Sequence, residues 1–355
     1  MIVREMIEFA YEPKTMFKAN EKFFHGREPT LRRMPDGSLI SFVYSGGKVE
    51  PDPEGNLAAL IRSDDDGETW SSPEIVFLHP QRSVWGTEIF TETDRPFAVF
   101  QTFLYDTRFR ELRSFMAYTD DSGKTWDKPF TVKGVPPNFS VRQGKVLSNG
   151  SWLFPVYWVE QRGDWNQLLD VEFTYKHPRD VDWFYISAVI ISNDHGKSFS
   201  LHGYVNNDVQ TAWEPEVVEL ENGHLMMWIR TNDGVLWESE SFDYGITWSS
   251  MKPGKLPNPG TKVVVYKVRD RYVMINNVCA LGAMNRKTLE IWVSDDYCKT
   301  WRTKLPLAKV LEGSPYPSVC YPHGFADDKK ETLYVSIDSV KAFFMVKIPY
   351  SDLMK

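Results

Sequence analysis

The chain is poor in cysteine: 355 residues hold three, Cys279, Cys298 and Cys320. Their spacing fits no zinc motif, and an odd number does not build a disulfide framework, so three free thiols in a reducing compartment are expected. The seven histidines include no HExxH and no clustered spacing, so neither a catalytic metal nor a cofactor is expected. No apolar run is long enough to span a membrane. Met1 to Tyr11 carries Arg4, Glu5 and Glu8 and lacks the apolar core of a signal peptide, which points to the cytoplasm. The net charge is -7 and no basic stripe occurs, so nucleic acid is not an expected partner. Any site for an anion must be built locally from a few arginines.

What the chain does have is aromatic side chains, 14% of the residues, a share that suits β-sheet packing or a sugar-stacking surface. It also has a repeat. Ser63–Trp70, Thr119–Trp126, Ser192–Phe199, Ser241–Trp248 and Ser294–Trp301 share the pattern Ser/Thr-x-Asp-x-Gly-x-Thr/Ser-Trp/Phe. The pattern is hairpin-turn chemistry. Its Asp accepts hydrogen bonds from nearby backbone N–H groups, its Gly supplies a positive φ, and its aromatic packs down into the sheet. Cys298 stands in the Gly position of the fifth copy, so a strained or differently shaped turn is expected there. Each copy follows a strand-like run, and the spacing of roughly 50 to 70 residues is that of a four-stranded blade. The widest gap holds Val159–Asp182, which reads as a loop insertion. Chain length divided by the common spacing gives about six blades. The last blade, near Tyr316–Pro349, lacks the repeat. A strand around Met6–Tyr11 is expected to complete it and close one domain over residues 1–355.

The repeats resemble the Asp-boxes of the sialidase (BNR) superfamily. The resemblance implies an all-β fold, a six-bladed β-propeller of four-stranded antiparallel blades. Asp-boxes lie on the rim in that family and mark architecture, so activity must be sought in the residues between them.

Five segments carry the rest of the resemblance. Gly26-Arg27-Glu28-Pro29 resembles the Arg-Ile-Pro segment that opens the first sialidase blade, which implies that Arg27 binds a substrate carboxylate. Glu28 departs from the apolar residue of the family. Trp213-Glu214-Pro215-Glu216-Val217-Val218-Glu219-Leu220, the turn Asn222-Gly223 and a strand ending at Arg230 match most closely. Glu214 falls at the place of the carboxylate that assists the nucleophile, and Arg230 at that of a second clamp arginine. Asn222-Gly223 is an independent hairpin signal that sets Glu214 and Arg230 at the same end of two antiparallel strands. Arg286 resembles the third clamp arginine, and Tyr316, in Ser314-Pro315-Tyr316-Pro317, the nucleophilic tyrosine. Asp52 has the offset of the acid/base carboxylate, with Glu50 and Glu54 as competitors in the same loop. Arg142 is a further candidate anion contact, and Trp213 a candidate for stacking on a sugar. Trp85 reads as core.

These residues cohere chemically. Three arginines hold a carboxylate through charge-assisted hydrogen bonds. A tyrosine beside a carboxylate is an activated nucleophile, the device that sets sialidases apart from two-carboxylate glycosidases. The expected activity is exo-acting glycoside hydrolysis next to an acidic sugar, with an acidic oligosaccharide or glycoside as partner. A uronate-specific polysaccharide lyase is the alternative, since His25 and His323 lie beside Arg27 and Tyr316 in sequence. A non-catalytic carbohydrate-binding propeller is the third reading. It would gain if Arg27, Arg230 and Arg286 pointed apart.

Overall fold

The middle strands of the chain are near-continuous apolar runs, the mark of sheets covered on both faces. The computed structural model describes residues 1–47, 56–104, 112–136, 138–161, 183–206, 210–279 and 285–355. These form six antiparallel sheets, or blades, in chain order. Blade 1 comprises Arg32–Arg33, Leu39–Ser45, Leu57–Ser63 and Glu74–Phe77. Blade 2 comprises Ser83–Phe90, Phe97–Phe103, Arg113–Tyr118 and Phe130–Thr131. Blade 3 opens with the short pairings of Ser140–Val141 and Lys145–Val146 and continues through Trp152–Gln161, Trp183–Ser192 and Ser200–Val205. Blade 4 comprises Trp213–Glu221, His224–Arg230, Val235–Ser241 and Lys252–Pro257. Blade 5 comprises Val264–Val268, Arg271–Val278, Thr288–Ser294 and Arg302–Val310. Blade 6 comprises Cys320–Asp327, Thr332–Asp338 and Ala342–Pro349, with Lys14–Lys18 as its outer strand. The expected six-bladed propeller is therefore the fold.

The core is divided among the blade interfaces. Phe42 and Phe77 of blade 1 share a cluster with Phe100 of blade 2, where the Phe77 and Phe100 rings stack at 4.1 Å. Five further large clusters join blades 2 to 3, 3 to 4, 4 to 5, 5 to 6 and 6 to 1. Each blade thus has both faces buried, which accounts for fully buried strands such as Leu39–Ser45 and Phe97–Phe103.

The five repeats connect the third and fourth strands of blades 1 to 5. Their bonding is uniform. In blade 2, Asp121 Oδ1 accepts from the Thr125 N–H at 2.8 Å and Oδ2 from the Thr125 hydroxyl at 2.6 Å, while the Gly123 N–H donates to Thr119 Oγ1 at 2.8 Å. The closing aromatic reaches back to the previous blade. Trp126 lies against Phe42 and Phe77 of blade 1, and Trp301 meets Trp228 of blade 4 edge-on at 5.9 Å. The fifth turn keeps this shape. Cys298 takes the glycine's place at φ 63° and its N–H still reaches Ser294 Oγ at 2.9 Å. The strain expected there is real, because a residue with a Cβ occupies left-handed backbone space.

The N-terminus behaves differently from expectation. Ile7–Phe9 pairs with the outer strand of blade 5, and Ile2–Arg4 adds a sixth strand beyond it. Blade 6 is completed by Lys14–Lys18 instead, in register with Ala342–Met345. The Met6–Tyr11 segment therefore sits one blade earlier than the sequence suggested. Of the expected insertion Val159–Asp182, residues 162–182 lie outside the described residues. The flanking strands pair up to Gln161 and Trp183.

Candidate active site

The first strand of each blade starts at one mouth of the ring, and three of these starts share a local device. Glu28, Glu214 and Tyr321 each precede a proline and each has a positive φ, at 49°, 44° and 47°. A residue before proline is barred from the right-handed helical region, and proline offers no N–H to a ladder. The strand pairing accordingly slips between Trp213 and Glu216 and between Cys320 and His323. The slip re-aims the pre-proline side chain, and such strained backbone clusters at functional sites.

The three side chains meet. Glu214 Oε2 accepts from Arg230 Nη1 at 2.7 Å, and its Oε1 accepts from Arg142 Nη2 at 3.2 Å and from the Tyr321 hydroxyl at 3.1 Å. Arg230 Nη1 also donates to the Tyr321 oxygen at 2.8 Å. Arg142 Nη1 donates to Glu28 Oε2 at 2.8 Å and its Nη2 to the Tyr157 hydroxyl at 3.0 Å. Arg27 pairs with Asp338 at 3.3 Å and lies over the Tyr321 ring at 5.2 Å. Arg286 lies over the same ring at 5.4 Å and donates to the Gly260 carbonyl at 2.6 Å. Arg230 stacks on Trp213 at 4.5 Å, and Tyr185 meets Trp213 edge-on. Trp85 packs beside Tyr44 in a small apolar cluster and lies under Arg142.

Burial controls the charge states. It pushes the Glu214 carboxyl up, but Arg230 and Arg142 outweigh it and hold Glu214 below the usual carboxylate range. At Glu28 burial dominates over Arg142, and Glu214 adds to it, so that carboxyl is pushed up. Burial also pushes the Tyr321 phenol up, against Arg230. The arrangement is a protonated phenol hydrogen-bonded to an ionised carboxylate, ringed by guanidinium groups. A hydroxyl so placed can lose its proton to the carboxylate as it attacks an electrophilic carbon.

Four of the residues singled out in the sequence converge here: Arg27, Glu214, Arg230 and Arg286. Arg142 and Trp213 join them. Tyr316 does not. Its hydroxyl donates to Glu5, its ring packs edge-on against Phe344, and it belongs to the apolar cluster between blades 5 and 6. The tyrosine at the centre is Tyr321, five residues later, because the strand that opens blade 6 begins at Cys320. Asp52, with Glu50 and Glu54, lies outside the described residues. His323 is buried one layer below, with Nδ1 3.4 Å from Arg32 Nη1, where burial and Arg32 depress its pKa and keep it neutral. That lower layer also holds the Arg32–Glu88 pair at 2.9 Å and Lys145 bonded to Glu216. A cavity of about 420 Å³ opens at the far end of these strands, lined by Arg32, Lys145, Tyr266 and Lys267, and contains none of the residues grouped around Tyr321. No group of three or more potential metal ligands occurs among the described residues.

The sequence profile described as a BNR repeat-like domain matches residues 81–326. A sialidase of Paraclostridium sordellii is 26% identical over 272 residues, covering 67% of this chain and 61% of the relative. The chain spans about three-fifths of the length of the curated relatives it matches. Among solved structures, the Hadza microbial sialidase Hz136 superposes with a TM-score of 0.71 at 18% identity, covering 93% of this chain and 67% of that one. A Dyadobacter fermentans protein of unknown function superposes with a TM-score of 0.69 at 14% identity, covering 97% and 99%. At such identities the structural likeness shows the fold, whereas the profile match extends over most of the chain. The chain belongs to the BNR repeat-like family, within the sialidase-like superfamily of six-bladed propellers.

Proposed function

We propose that the protein is an exo-acting glycoside hydrolase that cleaves the bond next to an acidic sugar of the sialic acid type. The observation that carries this reading is the Tyr321–Glu214 hydrogen bond of 3.1 Å within reach of Arg27, Arg230 and Arg286. In the proposed reaction Tyr321 Oη attacks the anomeric carbon, Glu214 takes the phenolic proton, and the leaving oxygen is protonated by a separate acid. Water then releases the sugar from the tyrosine. Asp52 is the proposed acid. The guanidinium groups of Arg27, Arg142, Arg230 and Arg286 gathered around Tyr321 and Glu214 among the described residues support an anionic substrate. The sialidase relatives of Paraclostridium sordellii and Clostridium perfringens favour the same substrate class.

The test is turnover of aryl sialosides and aryl uronides, with ultraviolet absorbance followed on uronate oligosaccharides. Release of the aryl alcohol from a sialoside is expected. A new ultraviolet-absorbing C=C bond without hydrolysis would replace this reading with that of a lyase. No turnover and no binding of any acidic sugar would refute it.

A further inference from the structure

Two cations at this mouth have no carboxylate within ion-pair distance among the described residues, although Glu214 acts on both through space. Arg142 is matched by Glu28 and Glu214, Arg230 by Glu214, and Arg27 by Asp338. Arg286 has the Gly260 carbonyl and the Tyr321 ring, with no ion pair among the described residues. Lys262 is 4% exposed, yet no hydrogen bond or ion pair within the described residues involves its ammonium. It stands eight residues before Asp270 in the turn that follows, the same offset that separates Glu28 from Asp36, Glu214 from Asn222 and Tyr321 from Lys329. Glu28, Glu214 and Arg142 act on its ammonium through space, so it lies near the groups that meet at the centre.

The loop that bears Lys262 is locked. Asn258 Oδ1 accepts from the Thr261 N–H at 2.8 Å, and its Nδ2 donates to the Thr261 carbonyl at 3.0 Å and to Asn276 Oδ1 at 2.8 Å. Asn276 Nδ2 in turn holds the Pro257 carbonyl at 2.8 Å. The same loop holds Arg286 through Gly260, two residues before Lys262. Both unmatched cations are thus positioned by one rigid segment on the blade 5 side. A buried ammonium with no ion pair or hydrogen bond is costly, since burial and Arg142 work against its charge and Glu28, Glu214 and Glu216 support it only through space, and a methionine would fill the same space without that cost. A charge left without an ion pair in such a place is open to an anion.

We propose that Lys262 is a further substrate-binding residue, and that Lys262 and Arg286 together receive the acidic group of the substrate. The proposal rests on the hydrolase reading for the identity of that substrate, but not for the existence of the anion site. It differs from a clamp of three arginines, because Arg27 and Arg230 already have carboxylate partners.

The experiment uses the full chain with Lys262→Met, which keeps the stem and removes the charge, and Lys262→Arg, which keeps the charge. Sialic acid and its methyl ester are titrated into each by calorimetry. Lys262→Met is expected to weaken the acid about 10- to 100-fold and the ester less than about threefold, with Lys262→Arg near the wild type, since a charge-assisted hydrogen bond is lost only to the acid. Equal weakening of both ligands, or of neither, overturns the proposal. Reductive ¹³C-methylation of the unmutated chain reads the lysine directly, and decides the matter if Lys262→Met fails to fold or if neither sugar binds. Sodium acetate should shift the Lys262 resonance saturably, and sodium chloride at equal ionic strength should not. No saturable shift, or one that chloride reproduces, overturns the proposal whatever the turnover. A saturable acetate shift without turnover or binding of any acidic sugar upholds the anion site and overturns the hydrolase reading.

Discussion

Replacing Tyr321 by phenylalanine removes one oxygen and leaves the ring between Arg27 and Arg286, at 5.2 and 5.4 Å. The lost hydroxyl made two hydrogen bonds, accepting from Arg230 at 2.8 Å and donating to Glu214 at 3.1 Å. Neither partner is stranded, because Arg230 and Glu214 keep each other at 2.7 Å and Glu214 keeps Arg142. The expected loss of stability is therefore about 1–2 kcal/mol, and the melting temperature should fall by only a few degrees. Activity should respond on another scale. Without the nucleophile the covalent route is closed, and sialoside hydrolysis should fall by at least about a thousandfold. Tyr316→Phe is the matched control. It removes only the bond to Glu5, which retains Lys18 at 3.2 Å, so turnover should stay within about twofold of the wild type. Steady-state hydrolysis of an aryl sialoside, with circular dichroism for the fold, measures both variants. A fluorinated sialosyl donor that stalls on the enzyme, followed by peptide mapping, places the covalent label. Near-normal turnover by Tyr321→Phe, or a label on Tyr316, would refute the assignment.

Further outcomes follow from other parts of the molecule. Pro322→Ala restores an N–H and relaxes the restriction on Tyr321, so kcat should drop about tenfold or more with little change in KM, and an unchanged kcat would remove the proline from positioning. Burial, and then Arg142, depress the Lys262 ammonium to about 8, opposed by Glu28, Glu214 and Glu216. It is charged below that value, so kcat/KM for an acidic substrate should decline as pH rises through 8, and a profile flat to pH 9.5 would contradict this. The aspartates of four repeats, Asp65, Asp121, Asp194 and Asp296, are lowered to about 2 by the hydroxyl and N–H groups of their own turns. Their stabilisation is complete above the ordinary carboxylate value near 4 and is lost as pH falls through 2. Urea midpoints should therefore drop between pH 4 and 2, and Asp121→Asn should lessen that drop. A midpoint independent of pH in this range would show that the turns contribute nothing.

The architecture was readable because the turn demands several specific side chains within eight positions, and five copies at blade spacing leave little else to build. The Glu214–Arg230 pair was readable for a similar reason: the Asn222-Gly223 turn sets the register, and Trp213 duly pairs with Arg230 across it. Tyr321 was not. Two tyrosines lie five residues apart and both precede a proline, so only the start of the strand separates them. The usable signal was the distance to the next turn, eight residues for Glu28, Glu214 and Tyr321 but thirteen from Tyr316 to Lys329. The position of the N-terminal strands was also beyond sequence reasoning. Ile7–Phe9 and Lys14–Lys18 are both short segments with two apolar residues each, and nothing local says which blade edge each will join.

The strand that completes blade 6 has a kinetic consequence. Lys18 pairs with Ala342 across nearly the whole chain, and Arg27 and the Glu28 N–H both reach Asp338 over the same seam. A chain emerging from the ribosome can form blades 1 to 5 while Lys14–Lys18 still waits for its neighbour. Contacts of such sequence separation come late, since loop closure must precede them. Tyr321 arrives with the same final segment. The nascent protein therefore cannot bring Tyr321 to Glu214 and Arg230 before its ring is shut, and that contact becomes a report on completed folding.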